Sequence, residues 1–113
     1  MKVAVIGSRT FDDLDKLSLT MLELPFEVTI VISGGAKGAD ALAEKSANEN
    51  NIPIRIHKPD WTKYGKGAGV IRNRLIIDDC DYCLAFWDGA SKGTKSSIDY
   101  CKSIGKGLKI IFI

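Results

Sequence analysis

Three observations predict an α/β fold built on a parallel sheet. Strand-like and helix-like segments alternate along the whole chain. Several strand-like runs are almost continuously apolar, as strands are when helices cover both faces of a sheet. The 113 residues, 45% of them apolar, provide for one hydrophobic core. Because crossovers between parallel strands are right-handed, we expect a single three-layer Rossmann-like domain over 1–113, with five strands in the order 3-2-1-4-5.

Each element of this domain follows from a local pattern. The strands are predicted from the apolar runs KVAVI (2–6), VTIVIS (28–33), IPIRIHK (52–58), DYCLAFW (81–87) and LKIIFI (108–113). Helical periodicity indicates helices over 12–24, 39–50, 68–79 and 94–104. The 39–50 helix places four small or apolar residues on one face, and Asp40 lies in its first turn, where the helix dipole favours an acid. In the 68–79 helix, Ile71, Leu75 and Ile76 are predicted to form the buried stripe.

Charge and cysteine content exclude several classes of partner. Sixteen basic and fourteen acidic residues leave a net charge of +2, which is small for a nucleic-acid-binding protein. Any recognition of an anion must therefore depend on a local group of residues. Cys80 and Cys83 match a metal or redox spacing, but no second pair exists and His57 is the only histidine. We therefore predict packed thiols and no metal site. The absence of a signal peptide or a long apolar segment predicts a cytoplasmic protein that does not contact membranes.

The loops that follow the strands concentrate glycine, hydroxyl and cationic residues. They read GSRTF after the first strand, SGGAKGAD after the second, KPDWTKYGKG after the third and WDGASKGTKSS after the fourth. In a parallel sheet these loops meet at the carboxyl edge, which is the usual place for ligands. Backbone N–H groups at helix N-termini would add an anion site there.

No single loop decides between a phosphate site and a simple chain reversal. SGGAKGAD lacks both the spacing of a P-loop and the first glycines of the dinucleotide motif. One of Arg72 and Arg74 could point toward the strand ends from the early part of its helix. The alternative for both is a solvated face with salt bridges to Asp78 or Asp79, which the pattern favours less for Arg72 than for Arg74. Asp60 and Trp61 could meet a ribose and a base, although Trp61 could instead cover the core.

Five motifs together resemble a known family. VIGSRTF (5–11), SGGAKGAD (33–40), PDW (59–61), YGKGAGVIRNR (64–74) and AFWDGASKGT (85–94) look like the YspA-like, cpYpsA-related branch of the SLOG superfamily. The resemblance implies a Rossmann-like fold and a pocket for a nucleotide or a nucleotide-derived ligand. It also implies a distant relationship to the LOG phosphoribohydrolases and to the DNA-processing protein DprA.

The resemblance to the hydrolases is incomplete at one position. Their loop reads Pro-Gly-Gly-x-Gly-Thr-x-x-Glu, and this chain matches it at Gly93 and Thr94 but has Ser97 where the catalytic glutamate falls. Arg72 would correspond to their arginine near the scissile bond and would be catalytic only in a hydrolase. A hydroxyl cannot stabilise a developing oxocarbenium ion as a carboxylate does. Asp40, Asp88 or Asp99 could replace the glutamate if the fold brings one of them close.

We therefore expect a binding protein for a nucleotide-derived signal, acting as a sensor or as a sponge. The alternatives are a nucleoside-monophosphate phosphoribohydrolase and, with less support from the charge, single-stranded DNA binding. No cofactor is required, although a nucleotide could bring Mg²⁺, and a homo-oligomer is expected. The predicted ligand-binding residues are Gly7, Ser8, Arg9, Ser33, Gly34, Gly35, Lys37, Gly38, Asp40, Asp60, Trp61, Arg72, Asp88, Gly89, Gly93 and Thr94.

Overall fold

A five-stranded, all-parallel sheet forms the centre of the protein in a computed structural model that describes all residues from 1 to 113. The strand order is β3-β2-β1-β4-β5, as predicted. The elements are β1 (Lys2–Gly7), α1 (Leu14–Leu22), β2 (Ile30–Ser33), α2 (Ala39–Glu49), β3 (Ile54–Ile56), α3 (Trp61–Tyr64), a 3₁₀ turn (Gly65–Gly67), α4 (Ala68–Asp79), β4 (Tyr82–Trp87), α5 (Lys92–Ser103) and β5 (Gly107–Phe112).

Helices cover both faces of the sheet and bury two separate apolar clusters. Alternate residues of β1 divide between them: Val3 and Val5 pack toward α1 and α2, whereas Ala4 and Ile6 pack toward α4 and α5. This division explains why the central strands lack a polar alternation, since neither side of them faces water. The α/β, three-layer prediction is confirmed.

The apolar stripe of α4 differs from the prediction. Ile76 and Ile77 are buried, but Leu75 is 47% exposed, so placing Leu75 in the stripe was wrong. The run of apolar residues at the end of this helix is compatible with more than one helical phase, and the sheet selects the phase. With Ile76 inside, Arg72 lies one turn earlier on the same side of the helix and is half-buried.

The short helix α3 was not predicted. It begins where the Asp60 carboxylate accepts a hydrogen bond from the backbone N–H of Lys63 at 3.0 Å, and it ends at Gly65, whose φ is +55°. Asp60 therefore acts as an N-cap.

The three cysteines are free and buried, as predicted for packed thiols. Burial raises the pKa of Cys80 to about 11. The hydrogen bond from Cys83 lowers the pKa of Cys101.

No helix is both long and apolar enough to cross a bilayer.

The strand order fixes where a ligand site can form. β1 lies between β2 and β4. The strand order reverses between β1 and β4, because β2 and β3 are added on one side of β1 and β4 and β5 on the other. The loops after these two strands diverge and leave a crevice at the carboxyl edge. β3 is an edge strand, so the loop after it begins two strands away from this crevice.

Candidate functional site

A cavity of about 430 Å³ occupies the crevice between the ends of β1 and β4. Its walls come from the loop after β1, the start of α2, the middle of α4 and the start of α5. Only three of its fifteen lining residues are hydrophobic, so the cavity is suited to a polar ligand. Its volume lies within the range of small-molecule sites, roughly 300–1,000 Å³.

Ser8 joins the loops that build the first wall. Its backbone carbonyl accepts hydrogen bonds from the N–H groups of Phe11 and Ala39, both at 3.2 Å. Its hydroxyl accepts a 3.3 Å hydrogen bond from the N–H of Asp88. Three loops that follow different strands are thus held by one buried residue, which fixes the shape of the cavity.

Gly38 allows the loop after β2 to approach this wall. Its φ is +74°, and a Cβ at this position would lie 2.5 Å from the Cα of Arg9. Only glycine combines that backbone angle with that contact. Gly38 itself does not line the cavity, so its contribution is to bring Ala36 and Asp40 to the wall.

Arg72 reaches the cavity from α4 and is fixed in place. Its Nη1 donates a 2.7 Å hydrogen bond to the carbonyl of Gly34, and its Nε donates to Oδ1 of Asn73 at 2.8 Å. A Cβ at Gly34 would lie 2.7 Å from this Nη1, so the glycine leaves room for the guanidinium. Arg9 contributes a second guanidinium to the wall; it is exposed and forms no salt bridge within the chain.

The start of α5 forms the opposite wall with a turn closed by Asp88. The Asp88 carboxylate accepts hydrogen bonds from the N–H groups of Ala90 at 2.9 Å and Ser91 at 2.8 Å. The hydroxyls of Ser91 and Thr94 lie 3.2 Å apart. Ser91 is the N-cap of α5 but makes no capping hydrogen bond with its side chain. The first-turn N–H groups of a helix have no partner within the helix, so this wall offers donors to an anion.

Two carboxylates of the cavity have pKa values shifted in opposite directions. Burial raises the pKa of Asp40 above its ordinary value, although the N–H of Ala36 and the charge of Arg72 oppose the shift. Hydrogen bonds from the N–H groups of Ser91 and Ala90 lower the pKa of the exposed Asp88. The site therefore combines an acid that holds its proton more strongly with one that loses it readily.

Half of the sixteen predicted ligand-binding residues line the cavity. They are Gly7, Ser8, Arg9, Asp40, Arg72, Asp88, Gly93 and Thr94. The other half lies outside its wall: Ser33, Gly34, Gly35, Lys37, Gly38, Asp60, Trp61 and Gly89. Several of the second group have structural positions nearby, such as Gly34 against Arg72 and the buried Ser33, whose hydroxyl donates to the carbonyl of Asp40 at 3.5 Å.

Asp60 and Trp61 do not reach the cavity because they follow the edge strand β3. Asp60 caps α3, and Trp61 is 59% exposed beside Gly69 of α4. The alternative that Trp61 covers the core is wrong, because its side chain is largely exposed. Trp87 packs instead against the cluster under α4 and α5, and its indole N–H donates to the carbonyl of Ser91.

Sequence reasoning missed Thr10, Ala36 and Asn73 as lining residues, and it did not place Ser91 or Ser97 in the ligand site. Thr10 and Asn73 are each adjacent to a predicted arginine, and that adjacency was the available signal. Ser97 is buried in the wall, where the resemblance to the hydrolases placed a glutamate. No group of three or more His, Cys, Asp or Glu side chains is arranged to hold a metal ion.

Comparison with known proteins decides the family. The model of the family described as YspA, cpYpsA-related SLOG matches residues 1–64. The chain belongs to this SLOG family. The Gene 61 protein of Mycobacterium phage D29 is 33% identical over 114 aligned residues, which cover 92% of this chain and 90% of that protein. The resemblance inferred from the five motifs is thus confirmed.

Solved structures of the DNA-processing protein DprA share the fold. DprA from Streptococcus pneumoniae superposes with a TM-score of 0.79 at 20% identity, over 96% of this chain and 49% of the DprA chain. DprA from Helicobacter pylori gives a TM-score of 0.76 at 23% identity, over 97% of this chain and 64% of the other. This chain therefore spans about half to two thirds of the DprA chains that it resembles.

Proposed function

We propose that the chain binds a nucleotide or a nucleotide-derived signal in the cavity between β1 and β4, as a sensor or as a sponge. The observation that supports this proposal is a polar cavity with two guanidinium groups, at the point where the strand order reverses. Arginine suits phosphate because its planar donors match pairs of phosphate oxygens.

The phosphate belongs at the start of α5 in this proposal. Gly93 and Thr94 lie in the first turn of that helix and line the cavity, and a Cβ at Gly93 would meet no heavy atom within 4 Å. A phosphate can therefore approach the first-turn N–H groups closely. Arg9 is free to turn toward it, whereas Arg72 holds the loop after β2 and screens Asp40. Mg²⁺, if used, would arrive with a polyphosphate ligand.

The test is calorimetry with nucleoside monophosphates, NAD, ADP-ribose and cyclic dinucleotides, guided by native mass spectrometry of ligands retained on purification. The same spectra report the oligomeric state, which we expect to be a homo-oligomer. For the ligand that binds, we expect Arg9→Gln to weaken affinity about tenfold or more. Lys45→Gln, an exposed cation of α2 outside the cavity, is the matched control and leaves affinity unchanged. Absence of heat with every nucleotide at millimolar concentration would refute the proposal.

Single-stranded DNA is the competing ligand in the same titration. DprA from Helicobacter pylori has a single-stranded DNA binding mode. If that activity extended to this chain, a short oligonucleotide would bind more tightly than any mononucleotide, and its affinity would fall steeply with added salt.

Hydrolysis of an N-glycosidic bond is the second candidate function, favoured by the two unlike carboxylates of the cavity. In this reaction water adds to the anomeric carbon and gives a proton to Asp88, while Asp40 gives a proton to the departing base nitrogen. Asp99 is not a candidate because it lies outside the cavity, paired with Lys95 at 2.9 Å. The expected products are free base and ribose phosphate.

Incubation with nucleoside monophosphates, followed by chromatography of the bases, tests the reaction. We expect Arg72→Ala, Asp40→Asn and Asp88→Asn to abolish release and Lys45→Gln to retain it. Binding of a monophosphate without release of base would refute the hydrolase and leave the binding function standing.

A further inference from the structure

We propose that the groove between α4 and α5 is a second anion site, so that the ligand of the cavity carries a second phosphate. The groove has a volume of about 480 Å³. Three of its seven lining residues are cations, Arg74, Lys92 and Lys95, and Asp99 is its one carboxylate. This deepens the proposed function, on which it rests, by naming the class of ligand.

The groove and the cavity lie side by side along the same two helices. Lys92 of the groove precedes Gly93 of the cavity, Ser96 precedes Ser97, and Arg74 follows Asn73. A Cβ at Gly93 would have no neighbour within 4 Å, so no other part of the chain fills the space beside this position at the start of α5. A ligand with one phosphate in the cavity can therefore extend past Gly93 into the groove.

The groove also has an oriented donor in Arg74. The guanidinium of Arg74 lies over the ring of Tyr100, 5.1 Å from its centroid. The Tyr100 hydroxyl donates a 2.6 Å hydrogen bond to Asp78, so the ring is held in place. An arginine stacked on an aromatic ring keeps its edge donors free for an anion, and its planar head is already oriented. This packing replaces the salt bridge of Arg74 with Asp78 or Asp79 that the sequence left open.

The two lysines of the groove are available to a ligand. Lys95 pairs with Asp99, but both side chains are more than half exposed, and exposed pairs of this kind contribute little. Lys92 forms no salt bridge within the chain. The chain charge is only +2, yet three cations line this groove against the carboxylate of Asp99, with the carboxylate of Asp78 at its edge on Tyr100, so cations outnumber carboxylates here.

The test compares ligands that carry one and two separated phosphates. Adenosine monophosphate, adenosine 3′,5′-bisphosphate, the dinucleotide pApA and an oligothymidine are titrated into the wild type and into the triple variant Arg74→Gln/Lys92→Gln/Lys95→Gln. We expect the triple variant to lose about tenfold or more in affinity for the bisphosphate or the dinucleotide and less than about twofold for the monophosphate. Lys45→Gln is the control for the loss of one surface charge, and thermal melting confirms that each variant is folded.

The outcomes separate the second site from the proposed function. Equal losses for one- and two-phosphate ligands, or no loss for either, would overturn the second site while nucleotide binding stands. No binding of any nucleotide by the wild type would overturn both. If the second site exists, an affinity that levels off at the dinucleotide identifies a small ligand, and one that keeps rising with oligonucleotide length identifies a nucleic-acid strand.

Discussion

The two glycine-rich loops at the carboxyl edge look alike in sequence and differ in what their glycines do. In the loop after β2, Gly34 and Gly38 are packed against Arg72 and the backbone of Ser8 and Arg9. In the segment after β4, Gly89 of the turn and Gly93 of the first turn of α5 have no heavy atom within 4 Å of where a Cβ would lie. The glycines of the first loop allow close packing between parts of the chain. The glycine at position 93 leaves space that a ligand could occupy. A count of glycines cannot distinguish these uses.

Gly38→Ala gives the largest expected effect on this comparison. The new Cβ would meet the carbonyl of Ser8 and the Cα of Arg9 at a φ of +74°, so both strain and overlap oppose it. We expect the free energy of unfolding to fall by roughly 2–4 kcal/mol. Urea denaturation measures the change. Gly89→Ala is the matched control, with a φ of +81° but open space, and should lose only about 1 kcal/mol.

If the two variants lost equal stability, backbone strain alone would explain both glycines. The distinction between a packed loop and an open loop would then fail.

The carboxylates of the two loops give the next contrast, in the pH dependence of stability. Because the pKa of Asp40 is raised in the folded state, its stabilising contribution is complete below its unfolded pKa and is lost as the pH rises through the folded pKa. Asp88 has a lowered pKa, so its contribution is present above its unfolded pKa and is lost as the pH falls through the folded value.

Urea denaturation of Asp40→Asn and Asp88→Asn between about pH 3 and about pH 7 measures this contrast. As the pH rises, the free energy of unfolding of Asp40→Asn should increase relative to that of the wild type. That of Asp88→Asn should decrease relative to the wild type. Difference curves that slope in the same direction would show that burial does not dominate at Asp40.

The sequence predicted the sheet order because that order depends on alternation and handedness, which every segment repeats. It placed Arg72 near the strand ends from its position early in the 68–79 helix, and Arg72 does line the cavity, where it donates a hydrogen bond to the carbonyl of Gly34. It failed at Asp60 and Trp61, whose distance from the cavity depends on β3 being an edge strand. An edge strand ends away from the point where the strand order reverses, so a motif directly after such a strand can lie outside the cavity.

Which residues line the cavity could be predicted only in part, because lining depends on packing between loops. Lys37 and Gly38 are neighbours in the chain, yet Lys37 is exposed and Gly38 contacts Ser8 and Arg9. Thr10 and Asn73 lie within the motifs VIGSRTF and YGKGAGVIRNR, each beside a predicted arginine, and only the fold shows that they also line the cavity. Leu75 shows the same limit in a helix, where the apolar run left the phase open.

Gly93→Ala gives the smallest change in stability and the sharpest test of the open loop. Position 93 lies in the first turn of α5, where alanine favours the helix and restricts the unfolded chain, and the methyl group meets nothing. We expect a gain of roughly 0.5 kcal/mol in the free energy of unfolding.

Affinity of Gly93→Ala for the nucleotide should fall, because the methyl group occupies space that a phosphate needs to reach the first-turn N–H groups. Urea denaturation and calorimetry on the same sample measure the two effects. Opposite signs of stability and affinity would assign the glycine to the ligand. A variant that gains stability and binds as well as the wild type would show that the phosphate does not lie at this helix, and the second loop would then be a turn like any other.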